Sequence, residues 1–68
     1  MVVVVNGSEK EIGEPETISQ FVSGLGLNQE RLAVEVNGMI VRRTDWATTL
    51  LGEGDKIEVV HFVGGGNC

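Results

Sequence analysis

The dipeptide Asn-Gly occurs twice, at Asn6-Gly7 and at Asn37-Gly38, and each time it separates two short runs with strand character. A two-residue type I′ turn needs positive φ at both central positions, and Asn followed by Gly meets that demand at low steric cost. Val2 to Val5 is β-branched throughout and reads as a strand. Residues Glu9 to Ile12 return from the first turn, and Gly13 and Pro15 end that return. Leu32 to Val36 and Met39 to Arg42 form the second hairpin around the same turn chemistry.

A helix is expected between the hairpins. Thr17 is its N-cap, and Ile18, Phe21, Val22 and Leu25 follow at i, i+3, i+4 and i+7, one face of an α-helix. Gly24 and Gly26 stop it, with Gly26 the better residue for a left-handed end. So short a helix needs a sheet to pack on. After the second hairpin, Thr44 reads as another N-cap, with Asp45 in the first turn where the helix dipole favours an acid. Trp46 and Leu50 then sit at i and i+4 of a short helical turn that Gly52 ends. Gly54-Asp55 marks a further turn, and Lys56 to Val63 is the last strand.

The order is thus strand, strand, helix, strand, strand, short helix, strand. It predicts an α+β fold of the β-grasp (ubiquitin-like) type: a mixed four- or five-stranded sheet with one main helix and a short second helix. In that architecture the first and last strands lie side by side and parallel. Residues 1–63 form the β-grasp domain and residues 64–68 a flexible glycine-rich tail. On the last strand Ile57, Val59 and Val63 fall on one face, and Val60 and Phe62 on the other. One helix covers one face, so Val60 and Phe62 are expected on the open face as a partner docking surface.

At 68 residues the chain is near the lower size limit for a fold held by an apolar core. Its single cysteine, Cys68, allows no internal disulfide, and with one histidine, His61, a zinc site of Cys and His ligands is excluded. Hydrophobic residues make up 41%, too many for a disordered chain of this charge. No apolar run approaches the roughly 20 residues that span a membrane, and Met1 to Val5 is too short and lacks the basic flank of a signal peptide. A cytoplasmic protein with no membrane partner is the expectation. Ten acids against five bases give a net charge of −5, which argues against nucleic acid, since phosphate contacts need clustered Lys and Arg.

Catalytic patterns are absent. There is no G-x-x-x-x-G-K-[ST] phosphate loop, and no G-x-G-x-x-G opens a helix after a strand. No Ser, His and Asp combination reads as a triad. His61 reads as a sheet residue, Trp46 as core or a groove lining, and the glutamates 9, 11, 14 and 16 as surface. The tail is the exception. Gly64-Gly65-Gly66 makes a thin arm that can enter a partner's narrow active site where side chains collide. A glycine carboxylate is also an unhindered acyl group, one that ATP can activate and a sulfur nucleophile can then capture.

The stretch Val34-Glu35-Val36-Asn37-Gly38-Met39-Ile40-Val41-Arg42-Arg43-Thr44-Asp45-Trp46-Ala47 resembles the central segment of the ThiS family of sulfur carriers in thiamine biosynthesis. There a strand, an Asn-containing turn, an Ile-Val-x-Arg element and a Trp-containing turn follow in this order. Gly52-Glu53-Gly54-Asp55-Lys56-Ile57-Glu58-Val59 is similar to that family's Gly-Asp turn and last strand, and the ending is similar to its Gly-Gly tail. The resemblance implies a protein cosubstrate, not an enzyme, that binds no cofactor itself. It implies that an E1-like (ThiF-like) adenylyltransferase, using ATP and Mg, adenylates the terminal glycine. That group becomes a thiocarboxylate with sulfur from a donor, and a ThiG-like thiazole synthase receives the sulfur. Aligned by the last strand, the terminal glycine falls on Gly66 and the penultimate one on Gly65.

Asn67-Cys68 depart from this pattern, because they leave Gly66 without a free carboxylate. Removal by a processing protease is the favoured expectation; an expression remnant, or a persulfide carried on Cys68, are the alternatives. Other readings stay open at this point. The small subunit of molybdopterin synthase shares the fold and the Gly-Gly chemistry but is a longer chain. A non-catalytic β-grasp interaction module, or a ubiquitin-like modifier, would also fit the body. A plant-type ferredoxin would need four cysteines.

Overall fold

A computed structural model of the chain describes residues 1–61. Five strands form one sheet: β1 (Val2–Val5), β2 (Ser8–Glu11), β3 (Leu32–Val36), β4 (Met39–Val41) and β5 (Lys56–His61). Their order across the sheet is β2-β1-β5-β3-β4. β1 and β5 are parallel neighbours, and every other pair is antiparallel. Among the described residues one α-helix, α1 (Ile18–Ser23), lies between the hairpins. This is the β-grasp arrangement expected from the order of elements. The strand expected to run to Val63 is described to His61; Phe62 and Val63 lie outside the described residues.

Both hairpins turn as the Asn-Gly pairs predict. Asn6 and Gly7 have φ of 49° and 85°, and Asn37 and Gly38 have φ of 54° and 86°. These are the left-handed values of a type I′ turn, whose twist matches that of the strands it joins. The turns fix the registers Val5↔Ser8 and Val36↔Met39.

α1 starts with a complete capping box. Thr17 Oγ1 accepts from the Gln20 N–H at 3.1 Å, and the Thr17 N–H donates to Gln20 Oε1 at 2.9 Å. Gly24 is the C-cap, and Gly26 takes the left-handed conformation expected of it, with φ of 74° two residues later. Ile18, Phe21 and Val22 face the sheet and are buried, and Leu25 is half-buried beside them. They meet Val3, Leu32, Val34 and Ile57 from the sheet, with Ile12, Trp46 and Leu51 closing the margins. No buried polar or charged residue interrupts this core among the described residues.

Two local expectations are corrected. Thr44 is not an N-cap. The turn after β4 is a 3₁₀ helix over Arg43–Asp45 with Arg42 at the cap position and no side-chain cap bond. Thr44 therefore sits inside that turn, and Asp45 keeps its predicted place in it. Leu50 does not share a helical face with Trp46. The chain is extended at Leu50 and forms an antiparallel bridge with Thr17, so side chains alternate there with period two. Leu50 is 65% exposed, and Leu51, 1% exposed, fills the core instead. The bridge is held on both sides, by the Ile18 N–H on Thr49 O at 3.0 Å and the Leu51 N–H on Glu16 O at 2.9 Å. A second 3₁₀ turn, Gln29–Arg31, is capped by Asn28, whose Oδ1 accepts from the Glu30 N–H.

This assignment separates two adjacent leucines. Leu51→Ala is expected to lower the free energy of unfolding by about 2–5 kcal/mol, as for other buried leucines. Leu50→Ala should change it by less than about 0.5 kcal/mol, as for exposed sites. Urea denaturation of the two variants measures the difference.

Candidate functional site

Cross-strand partners share a face of the sheet. Val34 and Val59 are partners on the helix side, as are Val36 and Ile57. Ala33 and Val60, also partners, therefore lie on the opposite, open face. Val60 is 53% exposed there. Next to that row, Glu58 pairs with Glu35, and Glu35 pairs with Ile40, which is 73% exposed. On the other side of β5, Lys56 pairs with Val4, and β2 contributes Glu9 opposite Val4 and Glu11 opposite Val2. Within its strands, this face combines valine, isoleucine and alanine side chains with four glutamates and one lysine. Glu35 and Glu58 stand directly opposite one another, an arrangement of like charges that costs stability.

β5 forms the centre of this face and leads into the tail. Asparagines of both hairpin turns hold it. The Val4 N–H donates to Asp55 O at 2.9 Å and the Asn6 N–H to Ile57 O at 2.8 Å, which are rungs of the parallel ladder. The chain then leaves β5 for the hairpin, and the Asn6 side chain supplies the next rung. Its Oδ1 accepts from the Val59 N–H at 2.8 Å, and its Nδ2 donates to Val59 O at 3.2 Å. On the other edge of β5, the Asn37 N–H donates to Lys56 O at 2.7 Å, and Asn37 Oδ1 accepts from the Lys56 N–H at 3.0 Å. Asn37 Nδ2 reaches Asp55 Oδ1 at 3.1 Å, while Asp55 Oδ2 accepts from the Gly52 N–H at 2.7 Å.

Read as sequence, Asn6 and Asn37 carried only turn chemistry. Their grip on β5 depends on which strand the fold places beside each turn, and no local pattern encodes that. Trp46 is buried, with Nε1 donating to Val41 O at 3.0 Å and the Arg43 guanidinium 5.4 Å from its ring centroid. It anchors the chain after β4. His61 is an exposed residue of β5 opposite Leu32. Among the described residues no group of His, Cys, Asp or Glu is placed to hold a metal ion, and no helix is long and apolar enough to cross a membrane. Of the expected site residues, Val60 is on the open face; Phe62, Gly64, Gly65 and Gly66 lie outside the described residues.

This body presents a surface and a central strand and brings no reactive set together among its described residues. Comparison with known proteins gives that arrangement its context. The sequence matches the ThiS family over residues 3–66. The chain belongs to the ThiS family. Its fold superposes with a TM-score of 0.84 on the crystal structure of the thiamine biosynthesis protein ThiS from Geobacter metallireducens, at 32% identity over 97% of this chain and all of that one. A protein named thiazole synthase from Paramagnetospirillum magneticum is 36% identical over 98% of this chain, and one from Magnetococcus marinus 39% identical over 97%. The chain spans about a fifth of the length of those two relatives, 21% and 20%. An uncharacterized protein, ycf40, of Pyropia yezoensis is 34% identical over 94% of this chain and 90% of its own length. The family match and the thiamine-biosynthesis neighbour place the chain among the small sulfur carriers.

The ladder rung made by Asn6 has a measurable weight. Asn6→Gly keeps the backbone freedom the turn needs and deletes both bonds to Val59. It should lower the free energy of unfolding by about 1–2 kcal/mol and speed amide exchange at Val59 more than at Val34. Urea denaturation and residue-resolved hydrogen exchange measure the two effects.

Proposed function

We propose that the chain carries sulfur as a thiocarboxylate on Gly66 for assembly of the thiazole ring of thiamine. An E1-like adenylating enzyme, with ATP and Mg, joins AMP to the Gly66 carboxylate and releases pyrophosphate. A sulfur nucleophile from a donor then displaces AMP, and the thiocarboxylate gives its sulfur to thiazole synthase. Gly64 and Gly65 let the arm reach into both active sites, and the open face around Val60 docks the body, together with Phe62, which follows it in sequence. These steps are set in the cytoplasm.

The observation that carries this reading is the extent of the family match, which runs to residue 66. A second observation supports the acceptor. Chains named thiazole synthase hold a stretch similar to nearly the whole of this one, so carrier and synthase sequences occur joined. A carrier on the same polypeptide as its acceptor delivers at a high effective concentration; a separate carrier needs a docking surface to do the same.

In the sequence as it stands Gly66 is joined to Asn67 by an amide, and an amide carbonyl is not a substrate for adenylation. Removal of Asn67-Cys68 by a protease exposes the carboxylate. Incubation of the full chain and of a chain ending at Gly66 with the adenylating enzyme, ATP, Mg and a sulfur donor tests this. Intact mass should show oxygen replaced by sulfur on the shorter chain alone. Thiocarboxylate on the full chain, or none on the shorter one, defeats the reading.

A further inference from the structure

The two edges of the sheet are built differently. β2, at one edge, reads Ser-Glu-Lys-Glu and is exposed throughout. Charged side chains along an edge discourage the approach of another strand. β4, at the other edge, reads Met-Ile-Val and carries no charge. Met39 and Ile40 are each 73% exposed, the two most exposed large hydrophobic residues described. Exposed apolar residues on an open edge are a liability that a small protein normally avoids.

The backbone of β4 is available as well. In a hairpin with a two-residue turn, the residues flanking the turn exchange their hydrogen bonds, here Val36 and Met39. The next pair, Glu35 and Ile40, is a non-hydrogen-bonded pair. Ile40 therefore turns both its N–H and its C=O away from β3, toward the free edge. The chain beyond is committed elsewhere: Val41 O accepts from Trp46 and Arg42 O from the Asp45 N–H. One residue thus offers a donor, an acceptor and an exposed apolar side chain together.

We propose that β4 is a docking edge at which an enzyme partner adds an extended strand as the sixth strand of the sheet, through the outward N–H and C=O of Ile40. A second copy of the chain is a poor occupant. Pairing two three-residue strands buries far less than the roughly 1,000 Å² of a stable interface, and it brings two acidic open faces side by side. A larger partner avoids both faults, because the open face continues from Ile40 to Ala33 and Val60 and gives it further area. Charge sets the chemistry of the added strand. The residue placed opposite Ile40 lies about 4.8 Å from it and about 9.6 Å from Glu35. An arginine or lysine there can lay its stem over Ile40 and bring its cation to Glu35, relieving the repulsion between Glu35 and Glu58.

The proposal rests on the sulfur-carrier reading for the identity of its partners, and its test separates the two. Residue-resolved hydrogen exchange is measured on the chain alone and with the adenylating enzyme or thiazole synthase encoded in the same genome. Exchange at Ile40 should be fast in the free chain and slow at least about tenfold when a partner binds. Binding measurements on variants give a second arm. Ile40→Pro removes the outward N–H at an edge position that tolerates proline. It should bind roughly tenfold more weakly than Ile40→Ala, which keeps that donor. Glu35→Gln should weaken binding and flatten its salt dependence.

Binding with no protection at Ile40 overturns the docking edge and leaves the functional reading standing. Failure to bind either enzyme overturns both. Protection at Ile40 that grows with the concentration of the chain alone assigns the edge to a second copy and overturns the proposal. Unchanged binding by Glu35→Gln overturns the cationic residue.

Discussion

The parallel contact between β1 and β5 is what closes this fold. It joins the first strand to the last across about fifty residues of intervening chain, with Val4 opposite Lys56 and Val5 opposite Ile57. A contact between such distant parts costs loop-closure entropy before it returns anything. Hairpins can form locally, but α1 has nothing to bury itself against until β5 lies between β1 and β3. Val3, Val34 and Ile57 come from those three strands, and each is at most 1% exposed. The pairing is short, so it gains from groups outside the strands. Asn6 lengthens the ladder with its side chain, and the Val2 N–H is held by Glu53 Oε1 at 2.8 Å. The Gly54 N–H donates to Val2 O at 2.8 Å.

The same contact explains which parts of the molecule were legible in the sequence. Elements defined by neighbours in the chain read correctly: both Asn-Gly turns, the Thr17 cap, the apolar face of α1 and the strand pattern of β3. Their order then selected the β-grasp topology. The failures fall between Thr44 and Leu51. There the chain is shaped by a bridge from Leu50 to Thr17, more than thirty positions away, and by the burial of Trp46, whose Nε1 donates to Val41 O of β4. Helical spacing paired Trp46 with Leu50 because nothing local signals an extended crossing. Leu51, the residue that fills the core, is an adjacent leucine of identical chemistry. The candidate site divides in the same way. The alternation of β5 placed Val60 on the open face, but the roles of Asn6 and Asn37 follow from tertiary placement that neither turn encodes.

A carrier has two demands that pull against each other. Its tail must be slender enough to enter active sites built by other proteins, and its body must be recognised firmly enough to bring that tail to the right one. Here both demands bear on one strand. β5 is held by two asparagines at Lys56 and Val59, so the course of the strand that carries Val60 is fixed. The glycines come only after it. Under the proposed function, docking of the body brings the glycines that follow β5 close to the partner's active site.

The distribution of charge fits a partner that approaches from the open face and from the β4 side. An acidic surface speeds encounter with a basic one and repels copies of itself. Apolar residues then supply the short-range contact, and here they gather at Val60 and Ile40 rather than at β2, where Glu9 and Glu11 occupy the edge strand. The direct opposition of Glu35 and Glu58 costs stability in the free protein and offers no packing in return. Such a cost in a small domain is explained when the partner neutralises it. At the proposed docking edge, a cation of the partner beside Glu35 relieves that opposition and so favours the complex. Recognition at the proposed edge then falls on β4 and the open face of β3, while the other face of β3 supplies Leu32 and Val34 to the core.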